Sequence, residues 1–134
     1  MEEKTILVIE DNDINMQLMR AILQRGNYRI LEADNAEAGI RLARAHLPDL
    51  ILMDIQLPGM DGLSATRIIK EEPGMKHIPI LAMTGLAMQS DMDKATQVGF
   101  AGYIVKPTSV KTILEIIARH IHDQQTGSDT TPAC

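Results

Sequence analysis

The chain has 134 residues, of which 45% are hydrophobic and 23% are charged, a balance that supports one domain with a buried core and argues against a disordered chain. No apolar run approaches the roughly 20 residues that span a bilayer, and residues 1–20 lack a signal-peptide pattern. We therefore expect a soluble, cytoplasmic protein without membrane contact. Eighteen acidic against thirteen basic residues give a net charge of −5, and the only aromatic residues are two Tyr and one Phe, which argues against direct binding of DNA or RNA. The single cysteine, Cys134, excludes an intrachain disulfide.

Five segments of the chain have the composition of buried strands. Thr5–Glu10 and Asp49–Asp54 are nearly continuous aliphatic runs, which suit strands that are buried on both faces of a parallel sheet. Pro79 lies near the start of its run, where a missing N–H costs least. The five predicted strands are Thr5–Glu10, Tyr28–Ala33, Asp49–Asp54, Ile78–Thr84 and Ala101–Lys106.

Helical patterns follow each of these strands. Ile14, Leu18 and Ile22 repeat at helical spacing after the first strand. Asp34 and Glu37 have the spacing of a capping box at the start of the second helix, so we assign Asp34 as the cap of that helix. The remaining predicted helices are Asn35–His46, Leu63–Glu72, Met88–Val98 and Ser109–His122.

Five strands that alternate with five helices predict an α/β fold. We predict a doubly wound (βα)5 domain, with a five-stranded parallel sheet of flavodoxin-like order 2-1-3-4-5 and helices on both faces. This domain is expected to cover residues 1–122. Residues 123–134 are polar and small and include Pro and Gly, a composition that predicts a flexible C-terminal tail.

Chemically capable side chains lie at the ends of four predicted strands. Glu10 and Asp11 end the first strand, Asp54 the third, Thr84 the fourth and Lys106 the fifth, and the carboxyl ends of parallel strands meet at one edge. Three ionised carboxylates at this edge repel one another, Lys106 offsets one charge, and a divalent cation would neutralise the rest. With oxygen ligands and no His or Cys near any strand end, Mg²⁺ is favoured over Zn²⁺. An Asp carboxylate in this setting can act as a nucleophile and form an aspartyl phosphate.

These residues and their spacing resemble the receiver domain of two-component response regulators from Thr5 to about His122. The segment EDNDIN at 10–15 is similar to the versions in single-domain regulators and in receivers attached to hybrid histidine kinases. The resemblance implies a phosphorylation-activated signalling module, not a conventional enzyme, which catalyses its own phosphorylation and dephosphorylation. The matching motifs are the acidic pair Glu10-Asp11, DIQLPGMDG at 54–62, MTG at 83–85, and Tyr103 followed by Lys106-Pro107.

The resemblance also implies roles for the acidic residues at this edge. Asp54 is expected to accept a phosphoryl group from a phosphohistidine of a sensor histidine kinase or a histidine phosphotransfer protein. Glu10, Asp11 and Asp54 are expected to bind Mg²⁺, Glu10 through water. The backbone carbonyl of Gln56 is a further expected ligand.

The remaining implied roles concern the switch. Thr84 and Lys106 are expected to contact the phosphoryl oxygens, and Tyr103 to turn inward when Thr84 moves toward the phosphate. The bond between Lys106 and Pro107 is expected to be cis, a state that proline permits. The change alters the surface formed by the fourth helix, the fifth strand and the fifth helix, which a downstream protein target recognises.

Other interpretations stay open at this stage. Asp11 and Asn12 are compatible with simple caps of the first helix. The methionines of the first and fourth helices are compatible with either an adaptable docking surface or core filling; they are Met16, Met19, Met88 and Met92. The chain is also compatible with a receiver segment cut from a hybrid histidine kinase. A phosphohydrolase of the haloacid-dehalogenase type forms an aspartyl phosphate too, but it needs a second Asp two positions after the nucleophile, where this chain has Gln56.

Overall fold

A computed structural model describes residues 4–55, 59–60, 62–84, 97, 99–105 and 109–129, with Thr84 and residues 122–129 described by their backbone alone. Strands and helices alternate through α3, in agreement with the predicted pattern. In chain order the elements are β1 (Thr5–Ile9), α1 (Asp13–Arg25), β2 (Arg29–Ala33), α2 (Ala36–His46), β3 (Leu50–Asp54), α3 (Gly62–Glu71), β4 (Ile80–Thr84), β5 (Gly102–Val105) and the C-terminal helix (Val110–Asp129).

The five strands form one parallel sheet in the order β2-β1-β3-β4-β5, which confirms the predicted topology. The register places Ile9, the last residue of β1, beside Ala33 of β2 and Met53 of β3. On the other side of β3, Asp54 lies opposite Met83 of β4. As a result, β1 and β3 end side by side at one edge of the sheet.

The side chains of the central strands alternate between two apolar cores, one on each face of the sheet. On β1, Leu7 and Ile9 belong to the core formed with α2 and α3, whereas Ile6 and Val8 belong to the core formed with α1 and the C-terminal helix. All four side chains are fully buried. A strand that is covered on both faces needs apolar residues at every position, which explains the continuous aliphatic runs in the sequence.

The methionines of α1 fill the core. Met16 and Met19 are buried and pack in the cluster formed with the C-terminal helix, so the docking interpretation of these two residues is not supported. The large apolar side chains that α1 exposes are instead Ile14 and Leu18.

The cap of α2 differs from the predicted one by a single residue. Asn35 has the extended backbone of an N-cap (φ −152°, ψ 165°), and its side chain accepts a hydrogen bond from the amide three residues later. Asp34 instead accepts a hydrogen bond from the Asn35 amide group at 2.8 Å, so its assignment as the cap is wrong. At α1 the cap is Asn12, which accepts from the Asn15 N–H at 2.9 Å.

The C-terminal helix continues to Asp129, past the predicted end at His122. The residues just after His122 are Asp and Gln, which carry only modest helix penalties and supply no stop signal. Met88–Val98, apart from Gln97, and residues 130–134 lie outside the described residues, so the fourth helix and the boundary between domain and tail stay predictions. Although the C-terminal helix has 20 residues, none of the described helices is long and apolar enough to cross a membrane.

Leu47, the C-cap of α2, adopts a left-handed backbone conformation (φ 47°, ψ 66°) that costs a residue with a Cβ about 1–2 kcal/mol. Its side chain is 52% exposed, so little packing depends on it. We expect Leu47→Asn to raise the free energy of unfolding by about 1 kcal/mol, because Asn tolerates this conformation better. Urea denaturation measures the change. Leu47→Ala is the control, since Ala keeps the strain, and an equal gain in both variants would contradict the backbone explanation.

Candidate functional site

Three carboxylates meet where β1 and β3 end. One carboxylate oxygen from each of Glu10, Asp11 and Asp54 lies within 4.8 Å of the other two. Glu10 and Asp11 directly follow β1, Asp54 is the last residue of β3, and the two strands are paired. The structure therefore brings together the three acids that the sequence places at this edge of the sheet.

Glu10 is oriented by the first turn of α1. Its side chain is only 2% exposed, and its N–H donates to the carbonyl of Ala33 at 3.0 Å, which extends the pairing of β1 with β2. The Glu10 carboxylate accepts a hydrogen bond from the Asn12 N–H at 3.2 Å. Because Asn12 also caps α1, a single residue connects the start of this helix to the Glu10 carboxylate.

The backbone that follows Asp54 forms hydrogen bonds to both β4 and α3. Its side chain is 7% exposed, at the end of a strand that is buried throughout. The next residue, Ile55, donates its N–H to the carbonyl of Met83 on β4 at 3.1 Å, and its carbonyl accepts from the Gly62 N–H of α3 at 3.2 Å. These contacts limit the movement of the Asp54 backbone, as a reproducible ligand geometry requires.

The chemistry of the three acids fits a magnesium ion. Two of the carboxylates, Glu10 and Asp54, are buried next to each other, an arrangement that costs free energy unless positive charge compensates it. Asp11 is exposed, so the cluster is open to solvent on one side. Mg²⁺ prefers carboxylate oxygens and retains water ligands, whereas Zn²⁺ prefers nitrogen and sulfur. Glu10, Asp11 and Asp54 are therefore the residues that could hold Mg²⁺.

A cleft of about 430 Å³ opens beside the cluster, and its walls include Glu10, Arg20 and Glu32. The Arg20 guanidinium donates two hydrogen bonds to the Glu32 carboxylate, at 2.5 and 2.8 Å. This hydrogen bonding lowers the pKa of Glu32 and raises that of Arg20, so both groups stay charged at neutral pH. The wall of the cleft thus contains an ion pair that connects α1 to β2.

Several predicted site residues lie wholly or partly outside the described residues. The structure does not describe Gln56, Lys106 or Pro107. It describes Thr84 by its backbone alone, which ends β4 beside β5. The expected roles of these four residues stay predictions. Tyr103 is half-buried on β5 and packs against the core formed with α2 and α3, and its role as a switch also stays a prediction.

Three contacts around the site were not predicted from the sequence. They are the hydrogen bond from Asn12 to Glu10, the ion pair of Arg20 with Glu32, and the close approach of Gly62 to β3. Only Gly62 carries a sequence signal, because glycine is a poor helix former and its presence at a helix start suggests a steric requirement. The other two contacts use residue types that are common on any protein surface.

The sequence matches the family described as the response regulator receiver domain over residues 6–118. The chain belongs to this family. It is 40% identical over 120 residues to the polar-differentiation response regulator DivK of Brucella anthropi, an alignment that covers 90% of this chain and 98% of that protein. The resemblance inferred from the motifs is therefore confirmed, and the chain is a receiver domain of two-component signalling.

Solved structures of receiver domains show the same fold. The receiver domain of the sensor histidine kinase PA1611 from Pseudomonas aeruginosa PAO1 is 34% identical, with a TM-score of 0.85, and the match covers 90% of this chain and 99% of that one. That structure has a magnesium ion coordinated in its active-site cleft. The structure of the chemotaxis response regulator CheY4 of Vibrio cholerae is 24% identical, with a TM-score of 0.84, and the match covers 89% of this chain and 99% of that one. It supports the fold.

We expect Mg²⁺ to raise the thermal unfolding temperature of the protein. An ion that binds only the folded state adds about 2.7 kcal/mol to the free energy of unfolding when its free concentration is 100 times its Kd. Asp11→Asn should lose most of this gain, and in EDTA it should be at least as stable as the wild type because one of three like charges is gone. Circular dichroism melts in EDTA and in MgCl₂ measure both effects.

Asp34→Asn is the matched control for this experiment. It neutralises an exposed carboxylate that follows β2, outside the cluster, and should keep the full effect of Mg²⁺. An equal response to Mg²⁺ in the Asp11→Asn and Asp34→Asn variants would remove Asp11 from the ligand set.

Proposed function

We propose that this receiver domain is a phosphorylation-activated switch in which Asp54 accepts a phosphoryl group from a phosphohistidine of a sensor histidine kinase or a histidine phosphotransfer protein. The observation that supports this proposal is the position of Asp54, a buried carboxylate within 4.8 Å of the acidic pair Glu10 and Asp11. Of the three, Asp54 is the acid on the central strand β3, whose backbone is fixed on both sides.

The proposed transfer is a displacement at phosphorus. An Asp54 carboxylate oxygen forms a bond to phosphorus while the bond from phosphorus to the donor imidazole nitrogen breaks. The imidazole nitrogen keeps the electron pair of the broken bond, and the imidazole leaves as a neutral ring because its other nitrogen carries a proton; no oxidation state changes. Attack of water on phosphorus later restores the Asp54 carboxylate and releases inorganic phosphate. Bound Mg²⁺ would supply positive charge that neutralises the phosphoryl oxygens in the transition state.

Other residues complete the proposal. The carbonyl of Gln56 is the further metal ligand, and the Thr84 hydroxyl and the Lys106 ammonium contact the phosphoryl oxygens. The pairing of β4 with β5 supports the last two assignments, because both strands end at the same edge as β3. A hydroxyl donor and a cation suit a group that carries negative charge on three oxygens.

The signal is proposed to leave the site through Tyr103. Its ring is half-buried against the core formed with α2 and α3, so a change in its position would alter both packing and the surface near β5. The surface that a downstream protein target recognises would consist of the segment 88–98, β5 and the C-terminal helix. This proposal is compatible with a stand-alone regulator and with a receiver segment of a hybrid histidine kinase.

The phosphoryl donor is proposed to dock on α1. Ile14 and Leu18 are 75% and 55% exposed and lie one helical turn apart, and α1 begins two residues after Asp11. Exposed apolar side chains next to a reactive site are typical of protein contact surfaces. A donor protein that covers Ile14 and Leu18 would bring its phosphohistidine close to the carboxylates.

The Asp54→Asn variant tests the acceptor. Incubation of the wild type with MgCl₂ and phosphoramidate should add one phosphoryl group, measured by intact mass, and hydroxylamine should remove it because the product is an acyl phosphate. Asp54→Asn should take up none, and EDTA should suppress uptake by the wild type. Asp34→Asn is the control, with normal uptake. Uptake that persists in Asp54→Asn would exclude Asp54 as the acceptor.

A double variant, Ile14→Ser with Leu18→Ser, tests the docking surface. The rate of transfer from a phosphorylated histidine phosphotransfer protein should fall about tenfold, which corresponds to about 1.4 kcal/mol of lost contact. The rate from phosphoramidate should not change, because this small donor needs no docking. Leu47→Asn also removes an exposed leucine, at the far end of α2, and should leave both rates unchanged. Equal slowing with both donors would contradict a docking role.

A further inference from the structure

Gly62, the first residue of α3, lies in contact with the strand that carries Asp54. A methyl group on its Cα would be 2.5 Å from the carbonyl oxygen of Asp54, 2.9 Å from the Cα of Ile55 and 3.1 Å from the Cγ of Met53. The two shortest distances involve backbone atoms, which cannot move away by rotation about a side-chain bond. Any residue with a Cβ at position 62 must therefore displace either α3 or the end of β3.

A hydrogen bond also joins the start of α3 to the end of β3. The Gly62 N–H donates to the carbonyl of Ile55 at 3.2 Å, while the N–H of Ile55 donates to Met83 at 3.1 Å. The backbone directly after Asp54 thus lies between β4 on one side and the N-terminus of α3 on the other. A residue with a Cβ at position 62 would strain this hydrogen bond in addition to the steric contact.

We propose that Gly62 is a positioning residue for Asp54: its missing side chain lets α3 begin against β3 and so holds the Asp54 carboxylate within reach of Glu10 and Asp11. This inference rests on the proposed function of Asp54 as the phosphoryl acceptor. Because reactions of this kind depend on placement within fractions of an ångström, a small displacement of β3 reduces both metal binding and phosphoryl transfer.

A second glycine shows why Gly62 is distinct. A methyl group on Gly39 of α2 would overlap Cδ1 of Ile9 and lie 2.7 Å from its Cγ1, which are both side-chain atoms. The Ile9 side chain can respond by changing its own conformation, at a cost in stability. At Gly62 the nearest atoms belong to the backbone of Asp54 and Ile55, so an added methyl group would displace the residues of the site themselves.

The test compares Gly62→Ala with two controls that separate positioning from stability. Gly74→Ala is the same change where no atom lies within 4 Å of the added methyl group, and Ile69→Val removes one methylene from a fully buried side chain of the same helix. Urea denaturation and circular dichroism establish the conditions under which every variant is folded. Mg²⁺ affinity by calorimetry and phosphoryl uptake from phosphoramidate are then measured under those conditions.

We expect Gly62→Ala to bind Mg²⁺ at least fivefold more weakly and to take up the phosphoryl group at least tenfold more slowly than the wild type. Gly74→Ala and Ile69→Val should stay within twofold on both measurements, although Ile69→Val is less stable. A folded Gly62→Ala protein with wild-type Mg²⁺ affinity and uptake would overturn the inference. If the wild type binds Mg²⁺ but takes up no phosphoryl group, the proposed function fails, while the Mg²⁺ affinities still test the positioning role.

A measurement on the wild type keeps the inference testable if Gly62→Ala does not fold. If the Gly62 contact holds Asp54 in its metal-binding position, reciprocity requires that Mg²⁺ in turn stabilise this contact. Hydrogen exchange of the Gly62 amide should therefore slow at least threefold on addition of Mg²⁺, relative to the Gly74 amide. Unchanged exchange at Gly62 in saturating Mg²⁺ would count against the coupling.

Discussion

The parallel pairing of β1 with β3 is the constraint on which the site depends. With Ile9 beside Met53, the residues that follow on each strand, Glu10 and Asp54, emerge side by side at one edge of the sheet. The two strands are buried on both faces, and it is the burial of this apolar surface that keeps like charges close together despite their repulsion. A shift of one residue in this register would turn Asp54 toward the opposite face of the sheet.

Each acidic strand end is also connected to the helix that begins next to it. Asn12 bonds to Glu10 and caps α1, while Gly62 begins α3 in contact with the backbone of Asp54. The Glu10 carboxylate is therefore in contact with the start of α1, and the backbone of Asp54 with the start of α3. The exposed leucine and isoleucine lie on α1, so the proposed docking surface is on the helix whose start is hydrogen-bonded to the Glu10 carboxylate.

The site residues differ in how well the sequence predicted them. The structure places the three acids together as predicted, because each lies at the end of an aliphatic run, and in a parallel sheet such ends share one edge. The cap of α2 was wrong by one residue, since Asp34 and Asn35 both have suitable side chains and only backbone conformation distinguishes them. The C-terminal helix was predicted too short because weak local preferences after His122 do not determine where a helix ends.

The sequence by itself determined the family, the alternation of strands and helices that indicates a doubly wound fold, and the identity of the acids at the edge, because aliphatic runs and the residues after them are local features. Only the tertiary structure decided which methionines of α1 are buried, that Arg20 pairs with Glu32 twelve residues away, and that Gly62 meets the backbone of β3. These contacts depend on how helices are placed against the sheet. Their geometry follows from the packing of two whole cores, which no short segment of sequence specifies.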